Sequence, residues 1–139
     1  MNTTKITVTA LVHAEPKKVW EFWTSPKHII NWNFASDDWH CPKAKNDLRV
    51  GGKLESRMEA KDGSFGFDFV GTYDEVVDLK KISYSMEDGR QAVTSFENLG
   101  DQTKITTVFD AEGTHPVEMQ KDGWQAILDN YKKYVEAGS

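Results

Sequence analysis

Residues 114–139, THPVEMQKDGWQAILDNYKKYVEAGS, decide how this chain is read. Trp124, Ile127, Leu128, Tyr131, Tyr134 and Val135 recur at three- and four-residue steps, so they share one face of a helix predicted over residues 116–136. Asp122, Gln125, Asp129, Lys132, Lys133 and Glu136 fall mostly on the opposite face. Pro116 suits a first helical turn, where its missing N–H is not needed, and Gly138 stands just past the predicted end. A face carrying two tyrosines and a tryptophan needs a broad concave surface to lie in. Gly123 sits mid-helix, where glycine costs about 1 kcal/mol relative to alanine. The expectation is that it lets sheet residues or a ligand approach the helix backbone.

The concave surface is legible upstream. Residues 53–61 and 64–76 read as strands joined at Asp62-Gly63, a strong two-residue hairpin signal. A tight turn there pairs Lys61 with Ser64, and the register follows. Ser56 then faces Phe69, Met58 faces Phe67 and Ala60 faces Phe65, with Leu54 and Tyr73 on the same apolar side. The other side is polar, pairing Arg57 with Asp68 and Lys53 with Thr72. Residues 81–87, 91–98 and 103–111 are further strands, separated by turns at Asp88-Gly89 and Gly100-Asp101.

Residues 5–13 are rich in β-branched side chains and alternate, with Ile6, Val8, Ala10 and Val12 on one side, which predicts an N-terminal strand. Pro16 and Pro26 each open a short helix, PKKVWEFWT and SPKHIINW, the second with Ser25 as its cap. Residues 38–41 predict a short strand followed by a loop, with Pro42 restricting pairing to a sheet edge. Val50-Gly51-Gly52 signals positive φ or a sharp bend. The order is strand, two short helices, a run of antiparallel strands and one long helix. That is an α+β architecture, a curled sheet of about six or seven strands around the C-terminal helix, in one domain spanning residues 1–139.

Composition narrows the function classes. A net charge of −5 over 139 residues argues against a nucleic-acid footprint, and no basic run suits an anionic membrane. No segment approaches a membrane span. Cys41 is the single cysteine, so no internal disulfide forms. The first residues show no charged region followed by an apolar core, so no secretion signal is expected, and the expected location is cytoplasmic.

Several stretches together resemble the helix-grip or START-like (SRPBCC) superfamily, in the branch similar to the C-terminal domain of the activator of Hsp90 ATPase. They are Ala14-Glu15-Pro16-Lys17-Lys18-Val19-Trp20, Val50-Gly51-Gly52, Asp62-Gly63 and Gly71-Thr72-Tyr73-Asp74-Glu75-Val76. Thr103-Lys104-Ile105-Thr106 and Gly123-Trp124 with Ile127-Leu128 complete the set, in the family's order. The resemblance implies a deep cavity between sheet and helix, used by relatives for lipids, sterols, plant hormones and polyketides. Some relatives are cyclases or aromatases, and the Hsp90 activators imply a chaperone contact.

The candidate cavity residues are Trp32, His40, Met58, Phe65, Phe67, Phe69, Trp124, Ile127 and Tyr131. Their bland reading is a filled core, which periodicity alone does not separate from a cavity wall. The expected partner is a small apolar or aromatic ligand, with no obligatory metal or cofactor, and the chain is a monomer or homodimer. His40 and Cys41 are adjacent in a strand and point to opposite faces, so they do not make a nucleophile-and-base pair. A cyclase- or aromatase-like enzyme is the rival reading, with His40, Tyr131 or Asp68 moving protons. Arg57 and Asp68 otherwise read as an exposed cross-strand pair, and Arg49 and Glu97 as solvated side chains.

Overall fold

The computed structural model describes residues 4–137. Its order is β1 (Lys5–Val12), α1 (Pro16–Thr24), α2 (Pro26–Ile29), β2 (Trp39–Asn46), β3 (Lys53–Ala60), β4 (Gly66–Val77), β5 (Lys81–Met86), β6 (Gln91–Asn98), β7 (Thr103–Asp110) and α3 (Val117–Ala137). All seven strands form one antiparallel sheet in the order β1-β7-β6-β5-β4-β3-β2. The α+β architecture expected from the pattern is the one observed, and it is the helix-grip arrangement that the resemblance implies.

Alternation builds the inner face. Ile6, Val8, Ala10 and Val12 of β1 are buried while the residues between them are exposed. On β7, Thr103, Ile105, Thr107 and Phe109 point the same way. The β3–β4 register is that of the tight turn: Ser56 opposite Phe69, Arg57 opposite Asp68 and Met58 opposite Phe67. Gly51 adopts φ +86, and a Cβ on Gly52 would fall 2.1 Å from the Asp47 carbonyl oxygen. The glycine pair therefore lets the β2–β3 connection fold back on itself.

Helix α3 closes the fold by covering the free edge of β1, a row of carbonyls that would otherwise face solvent unpaired. Gln125 Nε2 donates to the Thr9 carbonyl (2.9 Å), and Lys132 Nζ to that of Leu11 (2.8 Å). Glu136 Oε2 accepts from the His13 amide (2.9 Å) and from Lys132 (2.6 Å). The polar face of the helix thus has a structural task as specific as that of the apolar one. On the apolar face Leu128, Tyr131 and Val135 are buried, each such side chain contributing about 1.5–3 kcal/mol.

Three local expectations need correction. Strand β2 does not stop at Cys41 but runs to Asn46, with a register shift between His40 and Lys43. It pairs only with β3, so the missing N–H of Pro42 costs one bond at an edge and is absorbed by the irregularity. The second helix is four residues long. Ser25 starts it through its carbonyl, which accepts from the His28 and Ile29 amides, not through its hydroxyl. The close approach expected at Gly123 is absent: nothing lies within 4 Å of the Cβ it lacks. Gly138, expected past the helix end, lies outside the described residues.

Two outcomes follow from this geometry. Gly123→Ala adds a methyl into open space and removes helix-interior glycine, so it should raise stability by about 0.5–1 kcal/mol, read as a higher melting temperature. For Glu136, burial by itself would raise the carboxyl, but the Lys132 and His13 hydrogen bonds outweigh it and hold the group at about 2. A depressed acid stabilises fully above its unfolded value of about 4.3 and loses that contribution as pH falls towards the folded one. Glu136→Gln should therefore cost about 1 kcal/mol at pH 7 and flatten the acid limb of unfolding between about pH 5 and 2.

Candidate functional site

Because α3 is held at the β1 edge, it does not run close along β3, β4 or β5. The curled sheet and the helix diverge there, and a cavity of about 210 Å³ opens between them. Leu54, Ser56 and Met58 of β3 form one wall with Phe67, Phe69 and Tyr73 of β4. Ile82 and Tyr84 of β5 continue it, and Thr94, Thr107 and Val8 extend it across the sheet. Helix α3 contributes Trp124, Ile127 and Leu128. Trp23, Ile29, Trp32 and Asn33 close the third side from the short helices and the turn after them.

The aromatic walls are braced from behind. Trp23 and Trp32 stack 5.1 Å apart, and each meets the Tyr131 ring edge-on at 4.9 Å. The Trp32 indole N–H donates to the Phe22 carbonyl (3.0 Å), and the Asn130 amide to that of Trp32 (3.0 Å). Trp124 stacks flat on Phe109 at 3.9 Å. These side chains therefore have defined positions although they border empty space.

No wall residue carries a charge at neutral pH. Burial pushes the Tyr73 phenol well above its usual range, partly offset by its hydrogen bond to Asn46. Burial does the same to Tyr84, whose neighbour Tyr73 adds to the effect while Arg90 opposes it. Both stay protonated. The Thr94 and Thr107 hydroxyls bond each other at 2.8 Å. Ser56 Oγ is buried with no hydrogen-bond partner among the described residues, a state that costs about 1–3 kcal/mol when nothing else satisfies it.

Of the residues singled out in the sequence, Trp32, Met58, Phe67, Phe69, Trp124 and Ile127 line the cavity. Tyr131, His40 and Phe65 do not. Tyr131 lies one layer behind, its hydroxyl donating to the Val19 carbonyl at 2.6 Å. His40 sits opposite Glu59 on the outer side of the sheet, with Nε2 3.7 Å from the carboxylate. Phe65 is 61% exposed at the hairpin tip, beside Trp39 and Phe67. Its side of the sheet was read from alternation, but the hairpin outruns the helices, so nothing covers it there.

The hydroxyls on β3, β6 and β7, and Trp23, were missed as site residues. The pattern carried a signal for Ser56, a polar residue in the inner row between Leu54 and Met58. Trp23 could be placed only by the path of the short helices. The three proton-transfer candidates do not converge: Asp68 is 71% exposed beside Arg57, His40 is outside and Tyr131 is sealed in. Cys41 is buried, and burial pushes its thiol up against the weaker pull of the Lys43 backbone and the Ser56 and Asn33 side chains. It is therefore a poor nucleophile. Among the described residues no cluster of His, Cys, Asp or Glu could hold a metal, and no helix is long and apolar enough to cross a membrane.

Tyr131→Phe tests the bracing layer. Removing a buried hydroxyl bonded at 2.6 Å should cost about 1–2 kcal/mol in denaturant unfolding. The cavity walls should persist, read as unchanged indole N–H resonances of Trp23 and Trp32.

The comparisons with known proteins agree on the fold. The sequence model of the activator of Hsp90 ATPase homolog 1-like proteins matches residues 13–136. The solution structure of an AHSA1-like protein from Aeromonas hydrophila is 44% identical, with a TM-score of 0.91, over 97% of this chain and 94% of that one. A protein from Cytophaga hutchinsonii is 48% identical, with a TM-score of 0.83, over 96% and 93%. The Aha1 dimer from Colwellia psychrerythraea is 14% identical with a TM-score of 0.74 over 98% of each chain, a likeness of fold. No curated protein matches. With a family match running from the end of β1 to the last turn of α3, and a curled sheet gripping one long helix, the chain belongs to the activator of Hsp90 ATPase homolog 1-like family of the helix-grip (SRPBCC) superfamily.

Proposed function

We propose that this chain is a small-molecule binding protein that takes a neutral, largely apolar ligand between the sheet and α3. One observation carries the reading: an uncharged, mainly aromatic cavity of about 210 Å³ whose walls are held rigid from behind. An apolar cavity of about 150 Å³ accepts a benzene ring, so this space suits a ligand of one or two fused rings. A sterol-sized molecule would need the helix to move. The cytoplasm is the expected compartment for this binding.

Native mass spectrometry of protein purified without denaturant, together with calorimetric titration of 2-acetonaphthone, tests the proposal. Wild type and Phe65→Ala should bind alike, since Phe65 lies outside the cavity. Ile127→Trp, which fills the cavity from the helix side, should weaken binding at least about tenfold. Absence of both a co-purifying molecule and any titration heat in folded wild type would refute the reading.

A second reading has its own support. Trp39, Phe65 and Phe67 form an aromatic cluster at the hairpin tip, with Phe67 42% exposed, and exposed apolar patches mark contact sites. In a family named for Hsp90 activation, this patch is a candidate chaperone contact. Pull-down of an Hsp90-type chaperone should then succeed with wild type and fail with Phe65→Ser. The dimer of the Colwellia relative makes a homodimer the assembly to look for by sedimentation.

A further inference from the structure

We infer that the Ser56 hydroxyl is the anchor that selects the ligand: it donates a hydrogen bond to an uncharged acceptor oxygen, such as an aryl ketone or quinone carbonyl, on a planar one- or two-ring molecule. The inference rests on the cavity-binding reading above and adds the chemistry of the group recognised.

Three observations meet at Ser56. It stands in the inner row of β3 between Leu54 and Met58, with Phe69 across from it on β4 and Ala44 on β2. None of these side chains offers a partner; the Cys41 thiol is near enough to feel the Ser56 side chain, but its own hydrogen bond runs to the Lys43 carbonyl at 3.5 Å, and sulfur is a weak acceptor. The residue is 2% exposed, and Oγ makes no hydrogen bond among the described residues. Ser56 is nevertheless a wall residue of the cavity, so a ligand seated directly against β3 is the group that can reach its unmet hydroxyl. A buried hydroxyl in an apolar row is disfavoured unless it is satisfied, and a bound acceptor satisfies it.

The rest of the wall narrows the acceptor. No ammonium or guanidinium lines the cavity, so a carboxylate or phosphate would enter without a counter-charge, at a desolvation cost. The Tyr73 hydroxyl is already committed to Asn46, which leaves the serine and threonine hydroxyls as the donors to consider. The Thr94–Thr107 pair shares two protons across one hydrogen bond, which leaves one O–H for a second acceptor beyond β4 and β5. A ligand rich in acceptors and free of charge matches this wall, and a purely hydrocarbon one leaves it unsatisfied. Phe69 and Trp124 bound the same space and suit a flat ring.

The test compares two probes of one shape, 2-acetonaphthone, which carries the carbonyl, and 2-isopropenylnaphthalene, in which a methylene replaces that oxygen. Affinities are measured by calorimetry, and occupancy of the cavity is checked from the indole resonances of Trp32 and Trp124. Wild type should prefer the ketone about tenfold. Ser56→Ala should lose that preference by weakening the ketone alone, while thermal unfolding reports it folded. Thr107→Val should retain the preference. Equal binding of both probes by wild type, or a preference that survives Ser56→Ala and disappears in Thr107→Val, overturns the role of Ser56 and leaves the cavity as a binding site. No binding of either probe by folded wild type overturns this inference, and the absence of any co-purifying molecule as well overturns the cavity reading.

Discussion

The structure depends on how α3 is fastened to the edge of β1. Gln125 and Lys132 donate to the carbonyls of Thr9 and Leu11, and Glu136 gathers the His13 amide and Lys132 at one carboxylate oxygen. These bonds blunt a sheet edge that would otherwise be open to pairing with another chain. They also set where the helix lies. With its polar face committed to β1 and Leu128, Tyr131 and Val135 buried beneath it, the helix sits to one side of the sheet's concavity.

The cavity is the consequence of that placement. A sheet with a right-handed twist curves away from a straight helix, and the space that opens is walled largely by β3, β4 and β5, away from the fastened edge. Side chains from the short helices reach into the gap, and Tyr131 props two of them from behind. Space of this kind is costly to leave empty, because the atoms that line it lack contacts on one side. The side chains that line it carry no charge.

Much of this was legible residue by residue. The Asp62-Gly63 turn set the hairpin register, because a two-residue turn allows one pairing and a slip would turn every phenylalanine outward. The helix stripe put Leu128, Tyr131 and Val135 on the buried face, since burial of one face follows a 3.6-residue period. Pro42 was rightly confined to an edge, yet the strand ran past it, because an edge strand can absorb a missing donor by an irregularity. Phe65 and His40 mark the limit. Alternation separates the two sides of a strand, but it does not say whether anything lies above the inner side, as at Phe65, or which side of a short edge strand faces inward, as at His40.

By itself the sequence determined six of the seven strands, the hairpin register and the two faces of the long helix, which rest on local periodicity and turn chemistry, while its motifs taken together resembled the helix-grip class. The tertiary structure decided the rest. It separated wall from support, placing Trp124 and Ile127 at the cavity and Tyr131 behind it, although all three share one helical stripe. It left Gly123 facing open space, and it left the Ser56 hydroxyl without a hydrogen-bond partner among the described residues. Those outcomes depend on where the helix lies across a curved sheet, and that position is set by side chains meeting backbone carbonyls more than a hundred residues away, a distance that local patterning does not span.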